Sequence, residues 1–282
     1  MLRPDIRHHT RQRDQDRNEA FSYCESLTSI IIPESVSYIG DYAFSDCYRL
    51  TSVCIPQNVT YYGIGAFSGC LYLESIEVDP DNTAYASIDG VLYTKDLSVL
   101  MQCPAGKSGE FSIPDSVTII GDYAFYGCDY LTSIIIPDSV TIIGDDAFSQ
   151  CYKLTSVTIP NSVAVIGDYA FYGCTSLEEL TIPDSVTRIG DRAFSYCESL
   201  KSITFKGNAP SIGSQWIFGA SSDLTIYYNE GATGFDGPAW KDLSLQVIST
   251  LKGGSDDGLI VIGLVVFVAI AILAALLYMR KR

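Results

Sequence analysis

An Ala-Phe pair stands at Ala20, Ala43, Ala66, Ala124, Ala147, Ala170 and Ala193, and it opens a 23-residue unit that recurs along the chain. AFSYCESLTSIIIPESVSYIGDY from Ala20, AFYGCDYLTSIIIPDSVTIIGDD from Ala124 and AFSQCYKLTSVTIPNSVAVIGDY from Ala147 show the pattern, and a frayed eighth copy runs through Trp216 to Phe218. No unit of this size can bury its own Leu, Ile, Val and Phe, so such a chain folds only as a stack in which each coil covers the next. Stacking at about 4.8 Å per coil turns the strands of successive units into a parallel ladder. The predicted fold is a repeat solenoid on a 23-residue period, mainly β with short helical turns.

Each unit divides into three pieces. The L-x-x-I-x-I-P stretch alternates as a short strand should, and Pro33, Pro56, Pro137, Pro160 and Pro183 end it. The D-S-V-T-I-I-G piece reads as a second extended segment, closed by Gly40, Gly121, Gly144, Gly167 and Gly190, where a positive φ is cheap. The D-Y-A-F-x-x-C piece is then a turn or short helix.

L-x-x-I-x-I-P followed by D-S-V-T-x-I-G-D-x-A-F-x-x-C resembles the BspA-like leucine-rich repeats, and the resemblance covers roughly residues 20–245. Within it, DPDNTAYASIDGVLYTKDLSVLMQCPAG from Asp79 to Gly106 is similar to an insertion that recurs in that family and suggests a β-hairpin bulging from the stack. Ile203 to Trp240, with GNAPSIG, TIYY and GATGFDGPAW, is similar to the family's terminal cap. The expected organisation is a basic leader over 1–19, repeats over 20–78 and 111–202 with the insertion at 79–110 between them, and a cap over 203–248. A linker at 249–257, a membrane helix at 258–279 and a basic tail at 280–282 complete it. The resemblance implies surface exposure and protein binding or adhesion.

The membrane helix rests on Gly258 to Met279, GLIVIGLVVFVAIAILAALLYM, an uncharged run long enough as a helix to cross a hydrocarbon core of about 30 Å. Asp256 and Asp257 precede it and Arg280, Lys281 and Arg282 follow, so the positive-inside tendency puts the C-terminus in the cytoplasm and the repeats outside. The leader has five Arg but no apolar stretch of the kind an export signal needs. Because the repeats open in mid-unit at Ala20, the reading preferred is a start placed too late; the alternative is a tail-anchored protein with cytosolic repeats.

Composition narrows the chemistry. Residues 20–279 hold 10 basic and 29 acidic side chains, which argues against nucleic acid as a partner. The two histidines, His8 and His9, lie in the leader, away from every Ser or Cys of the repeats, so neither hydrolytic catalysis nor a metal site is expected, and no cofactor. Seven of the nine cysteines (Cys24, Cys47, Cys70, Cys128, Cys151, Cys174, Cys197) share one repeat position and read as a ladder of buried, unpaired thiols. Cys54 and Cys103 fall outside that ladder and are expected to be the exposed ones. Asp41, Asp122, Asp145, Asp168 and Asp191 also recur in phase; one carboxylate per coil suits turn capping better than a calcium site. Tyr42, Tyr123 and Tyr169 precede Ala-Phe and are read as core or rim packing rather than contact residues. Asn58 opens an N-V-T sequon.

A chain without an active site acts by binding, through positions that vary while the core repeats. The strand positions facing away from the core are dominated by Thr and Ser with a few acids, and Ile135, Thr158, Glu178, Glu179, Thr181, Lys201 and Thr204 are the candidate partner-binding face. The expected function is that of a cell-surface, membrane-anchored protein that binds or adheres to a protein ligand. The alternatives are a passive envelope or stalk element and a cytosol-facing scaffold.

Overall fold

The computed structural model describes residues 18–241 and 243–248. The leader up to residue 17, the 258–279 span and the basic tail lie outside the described residues. Among the described residues no helix is long and apolar enough to cross a membrane.

The chain winds as a β-solenoid on the 23-residue period. Its first strand ladder is built from the L-x-x-I-x-I segments, which pair in parallel with like residues one period apart: Ser133 opposite Ser156, Glu179 opposite Ser202, Ser52 opposite Ser75. Thr225–Asn229 and Leu245–Ile248 of the cap continue it. The second ladder consists of two-residue strands from the S-V-T-x-I pieces, Ile119–Ile120, Ile142–Ile143, Val165–Ile166, Arg188–Ile189 and Ser211–Ile212, paired in sequence order. Alternation decides what is buried: in Glu179–Ile182 the side chains of Leu180 and Ile182 face inward while Glu179 and Thr181 face out.

The Ala-Phe pieces stack as a third ladder, of turns, the first of the two forms expected for them. Alternate amides bond within and between coils: Ala43 N–H donates to Gly40 O at 3.2 Å, Phe44 N–H to Ala66 O of the next coil at 2.7 Å, and Ser45 N–H to Tyr42 O at 3.1 Å. Sharing amides between coils in this way prevents the consecutive i to i−4 bonds of a helix. Inside, Phe125, Phe148, Phe171 and Phe194 stack at 4.9, 5.0 and 5.3 Å between centroids, and Trp216 closes the column edge-on against Phe194. Phe205, Phe235, Trp216 and Trp240 fill the last turn of the core, with Phe235 and Trp240 4.8 Å apart. The stack reaches back to Asn18, whose side chain takes the place of the in-phase Asp: its Oδ1 accepts the Asp41 amide at 3.0 Å.

Three expectations are corrected. The insertion does not bulge from the stack. Tyr85–Ile88, Val91–Thr94 and Val99–Gln102 form an antiparallel meander that joins the second ladder through Val99 opposite Ile119. Leu92 enters the core of the N-terminal coils while Val91 and Tyr93 enter that of the C-terminal coils, so the middle strand is a septum between two hydrophobic clusters. Cys103, expected at the surface, is 2% exposed, because it follows the meander into the turn ladder, where its amide donates to Ala124 O. The repeated glycines are not needed for a positive φ. A Cβ on Gly167 would lie 2.5 Å from Asp145 Oδ1 and 2.6 Å from the Gly144 carbonyl, so glycine is there to let successive coils approach. The left-handed conformation falls instead on the residue before Ala-Phe, as at Tyr42, Tyr123 and Tyr169, and on the residue before Cys, as at Gly127 and Gly173.

Candidate functional site

Two surfaces carry side chains that the core does not use. The first is the outward row of the long-strand ladder. Ile135, Thr158, Glu178, Glu179, Thr181 and Lys201 are exposed and Thr204 is half-buried; Ile135, Thr158, Glu179, Thr181 and Thr204 are outward strand positions, while Glu178 and Lys201 stand just before their strands. Parallel pairing brings like positions together: Ile135 sits opposite Thr158, and Thr181 opposite Thr204, with Tyr227 next in line. Lys201 and Glu178 form an ion pair at 3.0 Å that is largely in solvent and holds the row's shape more than the protein's stability. One large apolar side chain stands in this row, Ile135 at 49% exposure; Ile31, at the equivalent position of the first coil, which forms no strand, is 90% exposed.

The in-phase carboxylates are structural. Asp122, Asp145 and Asp168 each accept, through Oδ1, the amide of the equivalent residue one coil on, at 2.9, 2.7 and 3.0 Å. The cysteine ladder behaves likewise: Cys151, Cys174 and Cys197 donate to the carbonyls of Phe125, Phe148 and Phe171 at 3.1 to 3.2 Å, and all nine thiols are free. Burial pushes these thiols up, Cys197 to about 12, which keeps them protonated and unreactive.

The second surface is a groove on the turn side that the sequence does not announce. The coil carrying the insertion has no Ala-Phe, and its turn is two residues shorter between paired positions, Leu100 to Gly109 against Ile120 to Leu131. Gln102 fills the vacated space, its Oε1 accepting both the Tyr62 hydroxyl and the Phe67 amide. The neighbouring turns then meet across the gap. A Cβ on Gly127 would lie 3.6 Å from Gly69 Cα, and Tyr42 reaches past Gly65 to touch Tyr123 edge-on at 5.3 Å. What is left is a depression of about 320 Å³, lined by six tyrosines, Asp46, Asp146, Glu19, four serines and Gln150. Tyr123 and Ser149 hydrogen-bond the Asp146 carboxylate, and burial nevertheless raises its pKa to about 6. Tyr42, Tyr123 and Tyr169 are thus half-buried rim residues that share a concave surface. Residues a hundred positions apart build this groove, and the only sign of it in the sequence is the missing Ala-Phe between Ala66 and Ala124.

Fold and faces define a leucine-rich-repeat solenoid. The BspA type leucine rich repeat region model matches residues 16–89 and 102–225 in six copies, skipping most of the meander, and the chain belongs to that family. The structure is similar to that of the pneumococcal vaccine antigen PcpA, with 23% identity and a TM-score of 0.65 over 84% of this chain and 71% of that one. It is also similar to a leucine rich cell surface protein from Faecalibacterium prausnitzii, at 33% identity and a TM-score of 0.50, covering 67% of this chain and 62% of that one. A leucine-rich repeat protein from Eubacterium ventriosum matches at 23% identity and a TM-score of 0.52 over 83% and 70% of the two chains. The two likenesses at 23% concern the fold alone, and this chain spans less than two thirds of the F. prausnitzii protein. No curated protein matches the sequence.

Proposed function

We propose that this chain is a membrane-anchored surface protein that binds a protein ligand through the outward row of its long-strand ladder, and that it is not an enzyme. The observation that carries the reading is the row itself. Its outward positions combine the exposed apolar side chain of Ile135 with small hydroxyls and a few charges, an apolar contact within a polar surround of the kind a protein interface uses. Family membership and the likeness to a bacterial cell surface protein support a role in adhesion. The apolar span at 258–279, with acidic residues before it and basic residues after it, supports anchoring with the repeats outside.

The test uses beads coated with the purified protein and scored for adhesion to intact host or microbial cells. The triple variant Ile135→Lys/Thr158→Lys/Thr181→Lys changes only outward side chains and is expected to melt as the parent does while losing adhesion roughly tenfold or more. Equal adhesion by parent and variant contradicts the proposed face and leaves a passive envelope element.

A further inference from the structure

The turn-side groove is distinct from the strand row and lies on a different ladder. Its chemistry is one-sided: among its lining residues are three carboxylates, Glu19, Asp46 and Asp146, and six tyrosine rings, with no Lys, Arg or His. Asp46 and Asp146 come from turns one hundred residues apart, yet both line the same depression as Tyr126 and lie near enough to act on it electrostatically. Neither carboxylate has a cation among the causes that shift it. One tyrosine of this surface already holds a cation that the chain supplies. Arg192 sits over the Tyr169 ring, 5.9 Å from its centroid, at one end of the groove, and Lys153 lies 4.9 Å over Tyr130 on a neighbouring turn. A desolvated carboxylate beside aromatic faces is stabilised most by a positive charge that approaches both at once.

We propose that this groove binds a cationic side chain, the ammonium or guanidinium of a lysine or arginine in a basic peptide segment of a partner protein, held between Asp46 and Asp146 against the tyrosine faces. The cavity accommodates a side chain rather than a folded domain, so recognition is of an extended segment. The inference does not rest on the strand-row reading, because variants of one surface leave the other intact.

The experiment measures fluorescence anisotropy of a labelled hexalysine peptide titrated with the full chain in detergent. Asp46→Asn/Asp146→Asn keeps shape and removes charge, and is expected to weaken binding roughly tenfold. Tyr126→Leu removes the aromatic face near both carboxylates without changing charge and is expected to weaken it several-fold. Glu178→Gln/Glu179→Gln, the same charge change made on the strand row, leaves binding unchanged, as does the triple strand-row variant. Circular dichroism melts confirm that each variant folds. If the Glu178/Glu179 variant weakens binding as much as the Asp46/Asp146 variant, the attraction is the diffuse field of an acidic chain and the site is refuted. If uncharged maltohexaose displaces the peptide, the groove is a saccharide site and the proposal is equally overturned.

Discussion

At the scale of single residues the repeat assigns each polar group a place, and departures from the pattern are where chemistry concentrates. Asp146 stands where other coils carry tyrosine, in a left-handed conformation and half-buried beside Asp145 and Asp122. Burial favours its neutral form, so its folded pKa of about 6 lies above that of the unfolded chain. A carboxyl shifted upward binds a proton in the folded state that the unfolded state has already lost, so stability falls as pH rises between about 4 and about 6. Asp146→Asn is therefore expected to raise the melting temperature at neutral pH and to change it little near pH 4. Melts of parent and variant across that range check it, and a variant less stable than the parent at neutral pH refutes the assignment. The thiols give a second residue-scale prediction. Cys54 alone is exposed, with burial and the charges of Asp79, Glu77 and Glu34 raising its pKa. A thiol reagent on the folded protein should modify Cys54 first, faster at alkaline pH, with Cys24 slower and the seven buried thiols protected until unfolding.

At the scale of elements, most of the coil was legible in the sequence, because each position is printed several times. The inward Leu and Ile of the strand, the Phe of the turn and the Cys behind it recur in phase and are buried in the repeats from Ala43 onward, with Phe21, Cys24 and Ile30 of the first coil partly buried. The elements occurring once were not legible in the same way. The meander was visible as a hairpin, but its place inside the stack depends on Leu92 facing one core and Val91 and Tyr93 the other, which no repeat comparison reveals. The glycines misled for a related reason: sequence shows that glycine is required, not whether dihedral angle or a neighbouring coil requires it. Two predictions belong here. Leu92→Ala, removing a fully buried side chain from the N-terminal cluster, should cost about 2–5 kcal/mol and speed hydrogen exchange around Phe44 and Phe67 more than around Phe171. Uniform acceleration would mean that the two clusters unfold as one. Gly167→Ala should cost about 2 kcal/mol or more, since the atoms it meets include backbone of the preceding coil; a silent substitution in a thermal melt contradicts the close-approach argument.

At the scale of the whole molecule, a linear stack with one septum presents two independent surfaces, a strand row open along its length and a groove where a turn is missing. The row could be named from the sequence because outward positions follow from strand alternation. The groove could not, since it comes from the spacing of coils and not from any coil's own residues. Binding by either surface at a cell surface requires that the solenoid be displayed there, and this is the claim everything functional depends on. The direct measurement is protease shaving of intact and lysed cells expressing the full chain with an epitope placed at Gly231, an exposed turn with open space around it. Loss of the epitope from intact cells is the result expected of a solenoid held outside by the 258–279 span. Protection until lysis would contradict surface display and leave a scaffold facing the cytosol.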